Sequence, residues 1–297
     1  MSGRVHTCYL DLMTQTLVAL WTRVRRALEA AGVEAPVHEA RLLVEAGAGV
    51  SRLDIVTDPR REMSPAQTAG VDALTARRAA REPMAHILGR KQFWRLDLVV
   101  SADVLIPRPE TELVVEAALE AIAPEAAARV VDLGVGSGAI LLAILSERAN
   151  AFGVGVDSSA GALTVARANA ECAGLTDRAK FLGGDWWEGV EGRFDVVVSN
   201  PPYIPTADIA GLAPEVARFE PRLALDGGTD GLDAYRAIFE GLGARLSPGG
   251  VFVFEIGIGQ ADNVADLASG YGFSTEAPRR DLSGIARVIV GHRADSR

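Results

Sequence analysis

The chain is short of the residues that build covalent or metal frameworks. Two cysteines, Cys8 and Cys172, and four histidines are spread through 297 residues. Neither their number nor their spacing suits a disulfide scaffold or a zinc site, so no metal is expected and a reducing cytoplasm is the default setting. His38 and His86 have no partner at ligand spacing, and His6 and His292 lie near the termini. Long apolar runs are missing as well: none reaches the ~18 residues that a membrane-spanning helix requires. Residues 1–14 are of mixed polarity and lack the apolar core of a signal peptide. Positive charge is in deficit, with a net charge of −9. Proteins that hold duplex nucleic acid draw much of their affinity from Lys and Arg on phosphates, so direct nucleic-acid binding is not expected.

Apolar residues are plentiful at 48%, enough for one large core or two ordinary ones. Residues 1–82 read as a small helical domain. Leu17, Leu20, Trp21, Val24 and Leu28 recur at helical spacing, with Gly32 closing the segment. A second helix is expected over 37–48 and a third over 65–81, where Ser64 before Pro65 matches an N-cap followed by proline at the first helical position. Residues 1–13 read either as a disordered leader or as an over-long start. Residues 83–109 read as a hairpin connector: 93–100 alternates as a strand should, and 86–88 reads as a partner for it or for its neighbour.

From 110 to 297 the chain reads as one α/β domain. Seven strands are expected, at 129–133, 152–156, 180–182, 194–199, 251–256, 274–277 and 286–290. Helices are expected at 111–122, 139–147, 159–172, 232–245 and 260–269. This alternation argues a mostly parallel, doubly wound sheet with helices on both faces. Ligands in such sheets bind beyond the carboxyl ends of the strands, near the topological switch point.

The most informative residues are Asn200-Pro201-Pro202-Tyr203, directly after a buried, β-branched strand. Proline fixes φ and carries no N–H, so the turn is stiff and collects a carboxamide, unused carbonyls and an aromatic ring at one strand end. Such a turn is a receptor for a planar NH2 group. A second cluster, Gly134-Val135-Gly136-Ser137-Gly138, follows the first strand of the domain; its glycines allow a tight turn, and the helix behind it offers free N–H groups. The spacing matches neither the dinucleotide fingerprint nor a P-loop. Asp157 ends the next strand, where an acid can accept from both ribose hydroxyls. Taken alone, such an acid more often caps the following helix, and the two roles are compatible. Asp185 can accept from an adenine amino group, and Trp186 or Trp187 can cover the ring.

This order of glycine loop, ribose acid, adenine-side aspartate and proline turn resembles the class I S-adenosylmethionine-dependent methyltransferases, whose fold is Rossmann-like. The resemblance narrows to the peptide chain release factor N5-glutamine methyltransferases, the HemK/PrmC family. It is carried by Pro83 to Arg90 (PMAHILGR) with Phe93-Trp94, Leu105 to Glu112 (LIPRPETE), Asp132 to Gly138, Asn200 to Tyr203, Arg218-Phe219-Glu220-Pro221, Glu255-Ile256-Gly257 with Gln260, and Asp281 to Arg287. Val135 departs from the family pattern, in which a hydroxyl residue is common.

The resemblance implies transfer of a methyl group from S-adenosyl-L-methionine, leaving S-adenosyl-L-homocysteine, to the glutamine N5 of a Gly-Gly-Gln motif in class I release factors. It implies that Gly134, Val135, Gly136, Ser137, Gly138, Asp157, Asp185, Trp186 and Asn200 hold the cofactor. Asn200, Pro201, Pro202 and Tyr203 would hold the glutamine, with Asn200, Pro201 and Tyr203 catalytic. LIPRPETE and residues 204–230 would flank or cover the pocket, while Phe93 and Trp94 would pack the hairpin. A cytoplasmic monomer is expected. Two other substrates share the chemistry: a ribosomal-protein glutamine and the amino groups of DNA or RNA bases. The second requires base extrusion and a basic channel, against the charge balance.

Overall fold

The computed structural model describes residues 15–294, which fall into two compact units dividing at Leu88 and Gly89. Cys8 and the proposed leader lie outside the described residues. In the first unit, β1 (Gln15–Thr16) pairs with β2 (Glu62–Met63) beside five helices: α1 (Leu17–Ala30), α2 (Pro36–Ala48), α3 (Arg52–Thr57), α4 (Pro65–Ala79) and α5 (Met84–Leu88). Ser64 and Gln67 form a reciprocal capping box at the start of α4, behind Pro65 at its first position. Gly32, at φ +69°, follows α1 in the left-handed conformation that glycine adopts without steric cost. The backbones of α2 and α4 touch at Gly47 and Gly70, where a Cβ on Gly70 would stand 2.5 Å from the Gly47 carbonyl oxygen. Leu17, Leu20, Leu28, Leu43 and Val71 fill the core, each contributing about 1.5–3 kcal/mol by leaving water. The buried Arg78 joins α4 to α2 through Glu39 at 2.5 Å. Residues 86–88 are not a strand: they lie in α5, whose backbone turns on the Pro83 carbonyl.

The second unit opens with an isolated hairpin, β3 (Arg90–Phe93) and β4 (Leu96–Val99). Phe93 is buried, and Trp94 at the turn donates its indole N–H to Glu147. The main sheet comprises β5 (Arg129–Leu133), β6 (Phe152–Asp157), β7 (Ala179–Gly183), β8 (Phe194–Ser199), β9 (Leu246–Glu255), β10 (Phe273–Thr275), β11 (Arg279–Arg280) and β12 (Ala286–Arg293). Its order is β10-β12-β9-β8-β5-β6-β7, with β11 added beside β12. The seven expected strands are all present, and the short β11 makes an eighth. Pairing from β9 to β7 is parallel, while β12 runs antiparallel to β9.

Helices α6 (Glu112–Ala121), α7 (Ala139–Glu147) and α8 (Ala160–Cys172) pack one apolar cluster with Val130, Val196 and Val198. A further helix, α9 (Pro214–Phe219), lies in the long connection after β8. On the opposite face, α10 (Asp233–Arg245) and α11 (Ala261–Gly270) pack a second cluster with Val131, Val197 and Phe252. Alternate residues of one strand therefore serve opposite layers, as the period of two requires. The chain runs from β5 outward to β6 and β7, then returns to β8 on the other side of β5. That reversal is the switch point, and the 134–138 loop and the 200–203 turn leave the sheet on either side of it.

Candidate active site

A cavity of about 470 Å³ opens at this switch point, within the ~300–1,000 Å³ of small-molecule sites. Its wall includes Gly134, Val135, Gly136, Ser137, Asp157, Asp185, Trp186, Asn200 and Pro202. Gly134, Gly136 and Gly138 take φ values of +75°, +52° and +83°. A side chain at any of them would be strained. Gly138 stays outside the cavity wall and seats α7, since its Cβ would lie 3.0 Å from a Leu142 methyl group. Val135 is buried, its methyl filling the space a Cβ on Gly155 would need. A packing role explains an apolar residue at this position.

The cap of α8 is Ser159, whose hydroxyl accepts the Ala162 N–H, and Asp157 braces the backbone at Ser159 and at the glycine loop. Oδ1 accepts from the Ser159 N–H and Oδ2 from the Gly136 N–H, each at 2.9 Å. A carboxylate oxygen accepts more than one bond, so the group keeps capacity for hydroxyl donors. Trp186 adopts φ +49° and packs against the second apolar cluster while facing the cavity. Trp187 is structural: its indole N–H donates to the Ile238 carbonyl at 2.8 Å, and its ring fills the space beside Gly241. The glycine cradle, the strand-end acid and the aromatic wall suit a nucleoside whose attached chain crosses the switch point, the shape expected of S-adenosylmethionine.

The proline turn stands beside the glycine loop, since β8 pairs with β5 as far as Val198 and Asp132 and the Ser199 hydroxyl donates to the Leu133 carbonyl. Asn200 and Pro202 line the cavity, whereas Pro201 is buried and Tyr203 lies behind the wall. Among the described residues, no hydrogen bond reaches the Pro201 or Pro202 carbonyl. The Gln260 amide donates to the Tyr203 carbonyl at 3.0 Å and its oxygen accepts the Gly257 N–H, fixing the end of the turn. The mouth carries Leu105 and Pro107 on one side and Pro221, Leu223, Ala224 and Asp226 on the other. Glu220 clasps the two stretches, accepting from the Arg108 guanidinium and the Ile106 N–H.

The sequence assigns no cofactor or substrate contact to further residues around the cavity. Thr111, within the 105–112 stretch expected to flank or cover the pocket, lines the cavity and accepts from Asn200 Nδ2 at 3.3 Å. Its hydroxyl donates to Glu255 Oε2 at 2.6 Å, while Tyr203 donates to Glu255 Oε1 at 3.2 Å. Burial pushes the Glu255 carboxyl up to about 7, opposed by the hydrogen bonds from Thr111 and Tyr203 and by the Arg287 charge. Burial, with the neighbouring Glu255 charge, likewise raises the Tyr203 hydroxyl far above its ordinary value, so it remains a donor. Asn169, fully inside α8, donates to the Ser137 and Val99 carbonyls and accepts the Val99 N–H, tying the glycine loop to the hairpin. Asp132 is buried with Oδ1 unpartnered, and desolvation pushes its carboxyl well up. The parallel pairing of β5, β8 and β9 carries Asp132 and Glu255 to the proline turn from distant parts of the sequence.

Two family models match the chain: the PrmC N-terminal domain over residues 19–89 and the methyltransferase small domain over residues 111–213. The release factor glutamine methyltransferase of Caulobacter vibrioides is 50% identical over 280 residues, covering 94% of this chain and 97% of that protein. The enzyme of the same name from Rhodospirillum rubrum is 48% identical, covering 90% of this chain and 82% of its own length. Among solved structures, a methyltransferase from Pyrococcus furiosus aligns with a TM-score of 0.50 at 16% identity, covering 67% of this chain and 89% of that one. That likeness is one of fold. With half of its residues shared across nearly the whole length of such relatives, the chain belongs to the release factor glutamine methyltransferase family.

Proposed function

We propose that this protein transfers a methyl group from S-adenosyl-L-methionine to the side-chain nitrogen of the glutamine in the Gly-Gly-Gln motif of class I release factors, acting as a cytoplasmic monomer. One observation carries the reading: a single cavity is lined by the glycine cradle, Asp157 and the Asn200 turn together. The relatives' shared name supplies the release factor as substrate.

S-adenosylmethionine, when bound, supplies a methyl carbon made electrophilic by its sulfonium. Gly134 to Ser137, Asp157, Asp185 and Trp186 hold the cofactor. The chain's remaining task is to make an amide nitrogen, a poor nucleophile with a delocalised lone pair, meet that carbon. Asn200 Oδ1 and the Pro201 carbonyl accept the two amide hydrogens, which fixes the nitrogen and its direction of approach. The same two acceptors stabilise positive charge as it grows on the nitrogen. Tyr203 fences the planar amide from behind. The methylated nitrogen is acidic and loses its proton to water, so no strong base is required at the transition state.

The test is incubation with methyl-labelled cofactor and, separately, a class I release factor, its Gly-Gly-Ala variant, a ribosomal protein and duplex DNA. Label is expected in the unaltered release factor alone. Equal labelling of the variant, or label confined to ribosomal protein or DNA, refutes the assignment.

A further inference from the structure

We infer that Glu255 and Thr111 are positioning residues that set the orientation of the Asn200 carboxamide, and with it which atom of Asn200 meets the substrate. The inference rests on the proposed amide-methylating function and adds to it a control that the turn itself does not contain.

The available protons fix the orientation. Thr111 has one hydroxyl proton, which goes to Glu255 Oε2 at 2.6 Å. The Thr111 oxygen then has only lone pairs left to offer, so it can only accept. Its neighbour at 3.3 Å is the Asn200 carboxamide, which must therefore present Nδ2 to Thr111. With Nδ2 held there, Oδ1 is the atom left for an incoming NH2 group. The opposite orientation would face one NH2 with another. An ionised Glu255 enforces this arrangement because both its oxygens are acceptors: Oε2 takes Thr111 and Oε1 takes Tyr203. A proton on Oε2 would reverse the chain, since Glu255 would donate to Thr111 and free the Thr111 proton to seek Asn200 Oδ1. Glu255 thus senses pH on behalf of an asparagine that has no charge.

The groups around Glu255 fit this part. Burial raises its carboxyl into the neutral range, and hydrogen bonds from Thr111 and Tyr203 favour the ionised form. Arg287 on β12 attracts it and is itself paired with Asp281 at 2.9 Å, while Glu110 before α6 repels it. Arg108 acts on the adjacent Tyr203. Tyr235 on α10 donates to the Glu255 backbone carbonyl at 2.8 Å, which holds the strand end without using the carboxylate.

The experiment compares wild type with Thr111→Val, Thr111→Ser and Glu255→Gln, using a release factor as methyl acceptor. Binding of S-adenosyl-L-homocysteine confirms that each variant is folded. Thr111→Val, which keeps shape and removes the hydroxyl, is expected to lower kcat about 10- to 100-fold, the range of one preorganised contact or less. The KM for release factor stays within about threefold, and Thr111→Ser returns kcat to within about threefold of wild type. Wild-type kcat falls as pH drops through about 7, whereas Glu255→Gln, which cannot ionise, loses that limb.

Without cofactor, the Asn200 side-chain NH2 resonances, assigned by their absence in Asn200→Ala, shift with the same ionisation in wild type and not in Glu255→Gln. Thr111→Val at wild-type kcat, equal impairment of the Ser and Val variants, or an acid limb retained by Glu255→Gln each overturns the inference while the functional reading stands. A wild-type protein that leaves the release factor unlabelled overturns both.

Discussion

Replacing Asn200 with alanine separates positioning chemistry from binding. In the folded protein Asn200 makes one long hydrogen bond, donating to Thr111 at 3.3 Å. Thr111 keeps its shorter bond to Glu255 after the change. The stability lost is therefore small, at most about 1 kcal/mol for a partly exposed neutral bond. The catalytic loss is larger, because Oδ1 is one of two acceptors aimed at charge that exists only in the transition state. Removing one such preorganised partner costs about 2.7–4 kcal/mol, or roughly 10²- to 10³-fold in kcat. Cofactor affinity should move less than tenfold, since the glycine cradle, Asp157 and Trp186 keep their places in the cavity wall. Initial rates with a release factor, calorimetric titration with S-adenosyl-L-homocysteine and thermal unfolding measure the three quantities. A kcat within threefold of wild type would refute the two-acceptor mechanism. A parallel loss of cofactor affinity would show that Asn200 acts through the cofactor instead.

Asp157→Ala removes the acceptor of the Gly136 and Ser159 N–H groups together with the proposed ribose contacts; cofactor-product affinity should fall at least ~30-fold, about 2 kcal/mol, and a change below threefold by calorimetry would count against the assignment. Asp132→Asn tests a buried acid whose folded-state pKa is raised by desolvation. A raised acid contributes its full share of stability below the unfolded pKa of 3.8 and loses it as pH climbs toward the folded value. The melting temperature of the variant relative to wild type should therefore rise from pH 5 to pH 8, by up to about 1.4 kcal/mol of stability per pH unit; a difference that is flat with pH would show that Asp132 is not held neutral. Arg78→Ala strands the Glu39 carboxylate between α2 and α4 and should cost the first unit about 3 kcal/mol in a denaturant titration, leaving S-adenosyl-L-homocysteine affinity unchanged; unfolding midpoints equal to wild type would contradict a structural role for this pair.

Local chemistry made much of the protein readable in advance. The strand runs at 129–133 and 194–199, the helix over 139–147 and the Ser64-Pro65 cap match the observed elements closely, because periodicity and capping depend on neighbours only a few residues away. Short elements were not legible. Residues 84–88 are helical because Pro83 presents a carbonyl to the His86 and Ile87 N–H groups, a bond that side-chain alternation does not reveal. The helices over 52–57 and 214–219 span six residues each, too few for an apolar period to stand out.

The sequence by itself determined the parts of the site: a glycine loop behind one strand, an acid ending the next, and the Asn200 turn behind a third, each a property of a few consecutive residues. Tertiary structure alone decided how the parts are governed. Asn200 lies 89 residues from Thr111, and Thr111 lies 144 residues from Glu255, yet the three form one chain of hydrogen bonds. They meet because β8 lies between β5 and β9, so the turn after β8 stands beside the end of β9. The physical reason is that strand order is chosen by burial of two opposite apolar faces over the whole domain, whereas turn and cap chemistry is settled within a few residues.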